Sequence, residues 1–187
     1  MKDIPKDIGI KELLTEVSPN LAKESIISSG AQKELEGTVF SMVLDVSGEK
    51  YSYVVKDGKD FDVKEADLDS ALIRVKIARE TLEKMIATGN LDMFLGLQGD
   101  MNKKKYDALK SLKGSFTSEL ENDDGSVTVI ETILNDAAQP HAIFKMKTSD
   151  TIALMKKETN PVNLFMSGAM KIEGDMSFAM ATQPLFT

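Results

Sequence analysis

Cysteine and tryptophan are absent from this chain, histidine occurs once, and proline five times in 187 residues. Without cysteine there are no disulfides, no thiolate nucleophiles and no cysteine-ligated metals. That usage fits a reducing cytoplasm. No run approaches the roughly 20 apolar residues that a membrane-spanning helix needs. The opening MKDIPKDIGIKELL mixes charged and apolar residues, unlike a secretory signal. A soluble, cytoplasmic protein is therefore expected. Positive charge is also in short supply, with 23 basic against 30 acidic residues and a formal net charge of -7. A nucleic-acid partner needs a basic footprint and is not expected. Adsorption to an anionic membrane by charge alone is disfavoured for the same reason.

The inventory for chemistry is equally thin. His141 is the only imidazole, and no Gly-x-Ser-x-Gly elbow accompanies it, so a surface or structural role is expected. Residues 120–131 have the glycine and glutamate of a calcium loop, but Leu120 would occupy the first ligand position and strand-like alternation flanks the segment. Gly96-Leu97-Gln98-Gly99 is too short to cradle a phosphate and no Lys-Ser/Thr follows it. No catalytic residue, metal or cofactor is expected.

What the chain does have is a regular succession of short periodic segments. Residues 1–17 read as an amphipathic arm, with Ile10, Leu13, Leu14 and Val17 at helical spacing. Ser18-Pro19 predicts a fresh helix start, with serine as cap and proline at the first helical position. From Thr38 the period becomes two: Phe40, Met42, Leu44 and Val46 share a face, and Tyr51, Tyr53 and Val55 follow the Ser47-Gly48 turn. Asp57-Gly58 turns into a short strand at 61–63, and an acidic linker leads to another at 71–77. A helix at 79–88 ends at Gly89, a natural left-handed cap. A shorter apolar helix is predicted at 91–97, and a lysine-rich, mostly solvated one at 101–112.

The programme then recurs. A hairpin is predicted at 114–121 and 127–134, a strand at 141–146, and helices opened by Ser149-Asp150 and by Asn160-Pro161. Residues 142–176 keep the order of 71–101: strand, helix, asparagine, Phe-bearing helix, glycine and finally Gly-Asp-Met. A fixed order of parts at a spacing of about 70 residues points to duplication. The second copy adds a strand in which Met170 and Ile172 point one way and Lys171 and Glu173 the other. The first copy lacks it. Met166, Met170, Met176 and Met180 crowd this last stretch, and methionine suits a surface that repacks around more than one shape, although gap filling in a core is its ordinary task.

Three segments carry a resemblance. They are Lys147-Thr148-Ser149-Asp150-Thr151 leading into a helix, the apolar helix from Asn160 to Gly168, and Met170-Lys171-Ile172-Glu173-Gly174-Asp175-Met176. Together they resemble the sterol carrier protein family, the non-specific lipid-transfer domain. The resemblance is good over 142–181, fair over 37–99, and does not extend to 1–17. The first copy departs from it in having Ile77-Ala78-Arg79 where the second has Thr148-Ser149-Asp150, so its helix lacks that cap. The resemblance implies an α+β fold, a mainly antiparallel sheet covered by helices, and the internal repeat adds two pseudo-repeated lobes at 18–112 and 113–187 behind the 1–17 arm. It implies a pocket defined by apolar shape, with no catalytic residues to transfer.

The expectation is a non-enzymatic carrier that buries a lipid, fatty acyl or sterol-like molecule between sheet and helices. Its lining is assigned to Phe94, Leu95, Phe144, Met146, Leu164, Phe165, Met166, Met170, Ile172 and Met176, each of which could equally be core packing. A transient membrane contact is compatible with this reading, and the oligomeric state is left open. Lys103, Lys104 and Lys105, the one local positive cluster, either face solvent or meet a headgroup or acidic partner. The rival reading is a protein-interaction module that keeps the fold and fills its pocket with its own side chains.

Overall fold

The computed structural model describes residues 4–89, 91 and 101–186. Chain entry is helical. The first helix, α1 (Ile10–Glu12), widens into a π-helical stretch (Leu13–Val17) and continues as α2 (Ser18–Ser29). Ser18-Pro19 does not start a new helix as the sequence suggested, because the chain stays helical through Ser18 at φ -60 and ψ -47. The reason is local. Proline lacks an N–H and its ring crowds the carbonyl a turn back, and the wider π turn, closed by Ser18 N–H on the Leu13 carbonyl, accommodates both. The expected arm is thus the first turns of a longer helix, with Leu13 and Leu14 completely buried.

Alternating sequence then gives β1 (Val39–Val46), β2 (Glu49–Lys56), β3 (Asp60–Lys64) and β4 (Ile73–Ile77). Helix α3 (Arg79–Thr88) follows and stops at Gly89, which takes φ 74. After α4 (Lys103–Ser111) come β5 (Gly114–Glu121), β6 (Val127–Leu134) and β7 (His141–Lys147). The chain finishes with α5 (Thr148–Met155), α6 (Pro161–Met166), β8 (Lys171–Gly174), α7 (Met176–Ala181) and a 3-10 turn (Gln183–Phe186). Ser47 and Gly48 both take positive φ between β1 and β2, the two-residue turn that suits a twisted hairpin.

The eight strands form one sheet in the order β3-β2-β1-β4-β6-β5-β7-β8. Where two lobes were expected, the halves are joined edge to edge by antiparallel pairing of β4 with β6, from Ile73 opposite Leu134 to Ile77 opposite Ile130. The halves share part of their connectivity, although β3, antiparallel on β2, comes between hairpin and parallel strand in the first half and has no counterpart between β6 and β7. A hairpin (β1–β2, β5–β6) is followed by a strand parallel to its first member (β4 beside β1, β7 beside β5) and then by a helix. In the second half β8 lies antiparallel on β7, and in the first half β6 lies antiparallel on β4. So β6 occupies, beside β4, the place of the strand that the first copy lacks.

One sheet face carries the core. Met42, Leu44, Val46, Tyr53, Val75 and Ile77 meet Leu13, Leu14, Leu82, Met85 and Ile86 over the first half. Phe116, Leu134, Ala142 and Phe144 meet Leu109, Leu154, Leu164 and Phe178 over the second. The other face is charged. Lys76 pairs with Glu131 at 3.1 Å across the seam, and Lys145 reaches Glu173 at 2.9 Å and Glu119 at 3.5 Å. The β3–β4 linker crosses this face and is held by Lys50 on Asp67 at 2.6 Å and by Leu72 N–H on the Ser41 hydroxyl at 3.1 Å. Arg74 ties the two halves together. Its guanidinium binds Asp67 of that linker at 2.5 Å and also Asp136 of the β6–β7 connection.

Some expected details differ. Neither α3 nor α5 has a side-chain cap, so Ser149-Asp150 does not distinguish the copies, and Thr148 instead donates to the Asn122 side chain at 2.7 Å. The lysine run is not a uniformly solvated face. Lys103 pairs with Asp107, while Lys105 is buried.

Candidate functional site

A cavity of about 250 Å³ lies between the second half of the sheet and the helices that cover it. Its floor is the apolar face of β5–β8: Phe116 and Ser118, Ile130 and Thr132, Phe144 and Met146, and Ile172. Its cover is Leu154 and Met155 of α5, Val162, Phe165 and Met166 of α6, and Ala179, Met180 and Phe186 at the C-terminus. Phe116 stands at the centre of an aromatic group, edge-on to Phe144 at 5.5 Å and to Phe186 at 6.1 Å between ring centres.

Local chemistry aims these elements. The Asn160 side chain accepts the Asn163 N–H at 2.9 Å and starts α6, whose first residue is Pro161. Leu164 anchors the helix in the core, which leaves Val162, Phe165 and Met166 around the cavity mouth, Met166 at 78% exposure. Asp175 similarly caps α7, accepting the Phe178 N–H at 2.8 Å. Gly174 lets the chain pass close beside β7. It has φ +84, and a Cβ there would stand 2.5 Å from the His141 carbonyl oxygen.

Of the expected lining residues, Phe144, Met146, Phe165, Met166, Met170 and Ile172 surround the cavity. Leu164 points into the core beneath it, and Met176, on the first turn of α7, faces solvent instead. Phe94 and Leu95 lie outside the described residues. Phe116, Phe186, Thr132 and Met155 also surround the cavity and were not anticipated. Alternation in 114–121 marks Phe116 as facing the core, but only the pairing of β5 with β7 brings it against Phe144.

Among the described residues nothing charged lines this cavity; its polar members are Ser118, Thr132, Thr151, Thr182 and Gln183. Charge is concentrated on the opposite sheet face, where the hydrogen bond to Glu173 holds the Lys145 ammonium above its usual pKa. The lone histidine is a clip. His141 Nδ1 lies 2.7 Å from Ser115 Oγ, and that hydroxyl donates its only proton to the Ala138 carbonyl at 2.8 Å. The imidazole must then be the donor to Ser115, so it does not activate the hydroxyl as a base would. Among the described residues no group of three or more His, Asp or Glu side chains could hold a metal ion. No helix among them is long and apolar enough to cross a membrane.

The first half has a counterpart of about 40 Å³ between α2 and β1–β3, lined by Phe40, Met42, Tyr53 and Val55 and narrowed by Ile26 and Leu35. That is about one sixth of the second-half cavity. Gly58 keeps the plug in place, since a Cβ there would approach Leu35 Cδ1 to 2.9 Å.

Residues 94–187, about half of the chain, match the SCP-2 sterol transfer family. No curated protein sequence matches the chain. Among solved structures, a UbiJ-SCP2 ubiquinone synthesis protein is similar at 12% identity and TM-score 0.30, over 95% of this chain and 96% of that one. The apo form of Sterol Carrier Protein 2 from Yarrowia lipolytica is similar at 14% identity and TM-score 0.23, over 95% and 83%. A conserved hypothetical protein from Thermus thermophilus gives 10% identity and TM-score 0.30, over 96% and 88%.

Proposed function

The chain belongs to the SCP-2 sterol transfer family, and from that premise we propose that it is a cytoplasmic, non-catalytic carrier of a fatty acyl or sterol-like ligand. The site is the cavity of the second half. The observation that carries this reading is a cavity of about 250 Å³ with no charged lining among the described residues, whose mouth is ringed by exposed apolar side chains. Each 100 Å² of apolar ligand surface withdrawn there from water contributes about 2.5 kcal/mol. No directional contact is needed for such binding.

The volume is just under the roughly 300–1,000 Å³ typical of small-molecule sites. A long chain or a polycyclic skeleton therefore extends through the mouth, against Val162, Phe165, Met166 and Met180. The flexible methionines there adapt to its shape. We further propose that the two halves descend from one duplicated unit. The hairpin, parallel strand and helix that both contain, despite the additional β3 of the first half, and the narrow counterpart cavity support that reading, with a single site retained.

Native mass spectrometry of protein taken from its source tests for a retained lipid, which appears as added mass. Titration with fluorescent acyl probes of several lengths tests the site directly. Affinity should rise with chain length and vary little with salt, the opposite of a phosphate-reading site. No saturable binding at any length would refute the carrier and leave the interaction-module reading.

A further inference from the structure

The hydroxyls in the cavity are not equivalent. Thr151 and Thr182 donate to their own helices, to the Lys147 carbonyl at 3.3 Å and to the Ala179 carbonyl at 2.7 Å. Thr128 of β6, buried on the same face, receives the Asn122 amide at 3.1 Å. Thr132 differs. It is 5% exposed and faces the cavity, and its hydroxyl makes no hydrogen bond among the described residues. Ser118 on the adjacent strand, half-buried, also lines the cavity and makes no hydrogen bond among the described residues. Thr132 stands opposite Phe116, and Ser118 is the next residue of β5 on that face, so the two hydroxyls are diagonal neighbours on the cavity floor.

A buried hydroxyl without a partner costs more than a methyl group of the same shape, and valine in place of Thr132 would fit this half-buried strand well. The empty protein gives no reason for threonine at this position. A ligand supplies one. We infer that Thr132, with Ser118 beside it, hydrogen-bonds an uncharged oxygen, a hydroxyl or carbonyl, at the inner end of an otherwise apolar ligand. The absence of charge from the described lining sets the class, because a carboxylate or phosphate would sit there unpaired. The hydrocarbon then runs toward the methionine-rich mouth. This assignment rests on the carrier reading and adds the polarity and direction of its ligand.

The test is competition by decanol, decane and decanoate against a fluorescent alkyl probe, with wild type, Thr132→Val and the Thr132→Val/Ser118→Ala double variant. Decanol should weaken by about tenfold in Thr132→Val, one hydrogen bond's worth, and further in the double variant. Decane should compete equally with all three proteins, and decanoate should be the poorest competitor at neutral pH. Unchanged decanol affinity in the double variant, or an equal loss of decane, overturns the inference and leaves the carrier standing. If none of the three displaces the probe from wild type, the carrier reading falls and the inference with it. The urea midpoint of empty Thr132→Val should be no lower than wild type. A lowered midpoint would mean that the hydroxyl holds the fold, and would overturn the inference as well.

Discussion

Truncating Phe165 and Met170 separates a ligand cavity from an ordinary core, and the structure fixes the sizes to expect. Phe165 is 39% exposed, so about three-fifths of its surface is withdrawn from water. Full burial of such a side chain is worth roughly 1.5–3 kcal/mol, so Phe165→Ala should destabilise the empty protein by about 1–2 kcal/mol. Met170 is 4% exposed but borders the cavity. Its side chain already lacks partner atoms on one side, so Met170→Ala should fall near 2 kcal/mol, the low end of core truncations. Leu82 is completely buried away from the cavity and provides the control, with Leu82→Ala expected at about 3–5 kcal/mol. Urea unfolding of the three empty variants gives the stabilities, and acyl-probe titration gives the affinities. Phe165→Ala and Met170→Ala should each weaken the probe several-fold, and Leu82→Ala should leave it unchanged while the protein is folded. If both cavity variants were as unstable as Leu82→Ala and bound the probe like wild type, their side chains would be filling the interior themselves. The site would then be wrongly placed.

Two further outcomes follow from the backbone and from charge. Gly174→Ala combines an unfavourable positive φ with a Cβ 2.5 Å from the His141 oxygen, whereas Gly168→Ala meets the same φ cost in open space. The first should therefore destabilise by well over the roughly 1–2 kcal/mol of the second, and equal urea midpoints would refute the close approach of β8 to β7. Hydrogen bonds from Lys50 and Arg74 hold the Asp67 carboxyl well below the usual carboxylate range. Its folded pKa is depressed, so its contribution is present above the unfolded value near 4 and is lost as pH falls below it. Asp67→Asn should flatten the acid limb of the stability profile, and an unchanged limb would show that solvent screens the pairing.

Much of the fold is written locally. Alternation from Phe40 to Val46 and from Val127 to Leu134 marks strands because each has one face on the core. Gly89 marks a helix end because it accepts a left-handed backbone. Ser18-Pro19 misleads because a helix cap and a proline carried by a π turn share one dipeptide signature. The single sheet is not local at all: nothing within 127–134 says that β6 will pair with β4 on one edge and with β5 on the other. The site divides in the same way. The methionines and Phe165 stand out in one continuous stretch, and Met176 was included with them by proximity although α7 turns it outward. Phe116 and Thr132 belong to the cavity through long-range pairing, which no short window of sequence records.

The position of β6 has a consequence for autonomy. This strand belongs to the second half's hairpin and also flanks β4 of the first. A chain divided between Lys113 and Gly114 would leave β4 with its outer hydrogen-bonding edge bare, and Arg74 would lose the Asp136 carboxylate. Such an open edge invites pairing with other chains. The second fragment would keep β6 but lose the flank that hides its far side. Sharing that strand makes the two halves one continuous sheet, so separating them should bare a hydrogen-bonding edge on each.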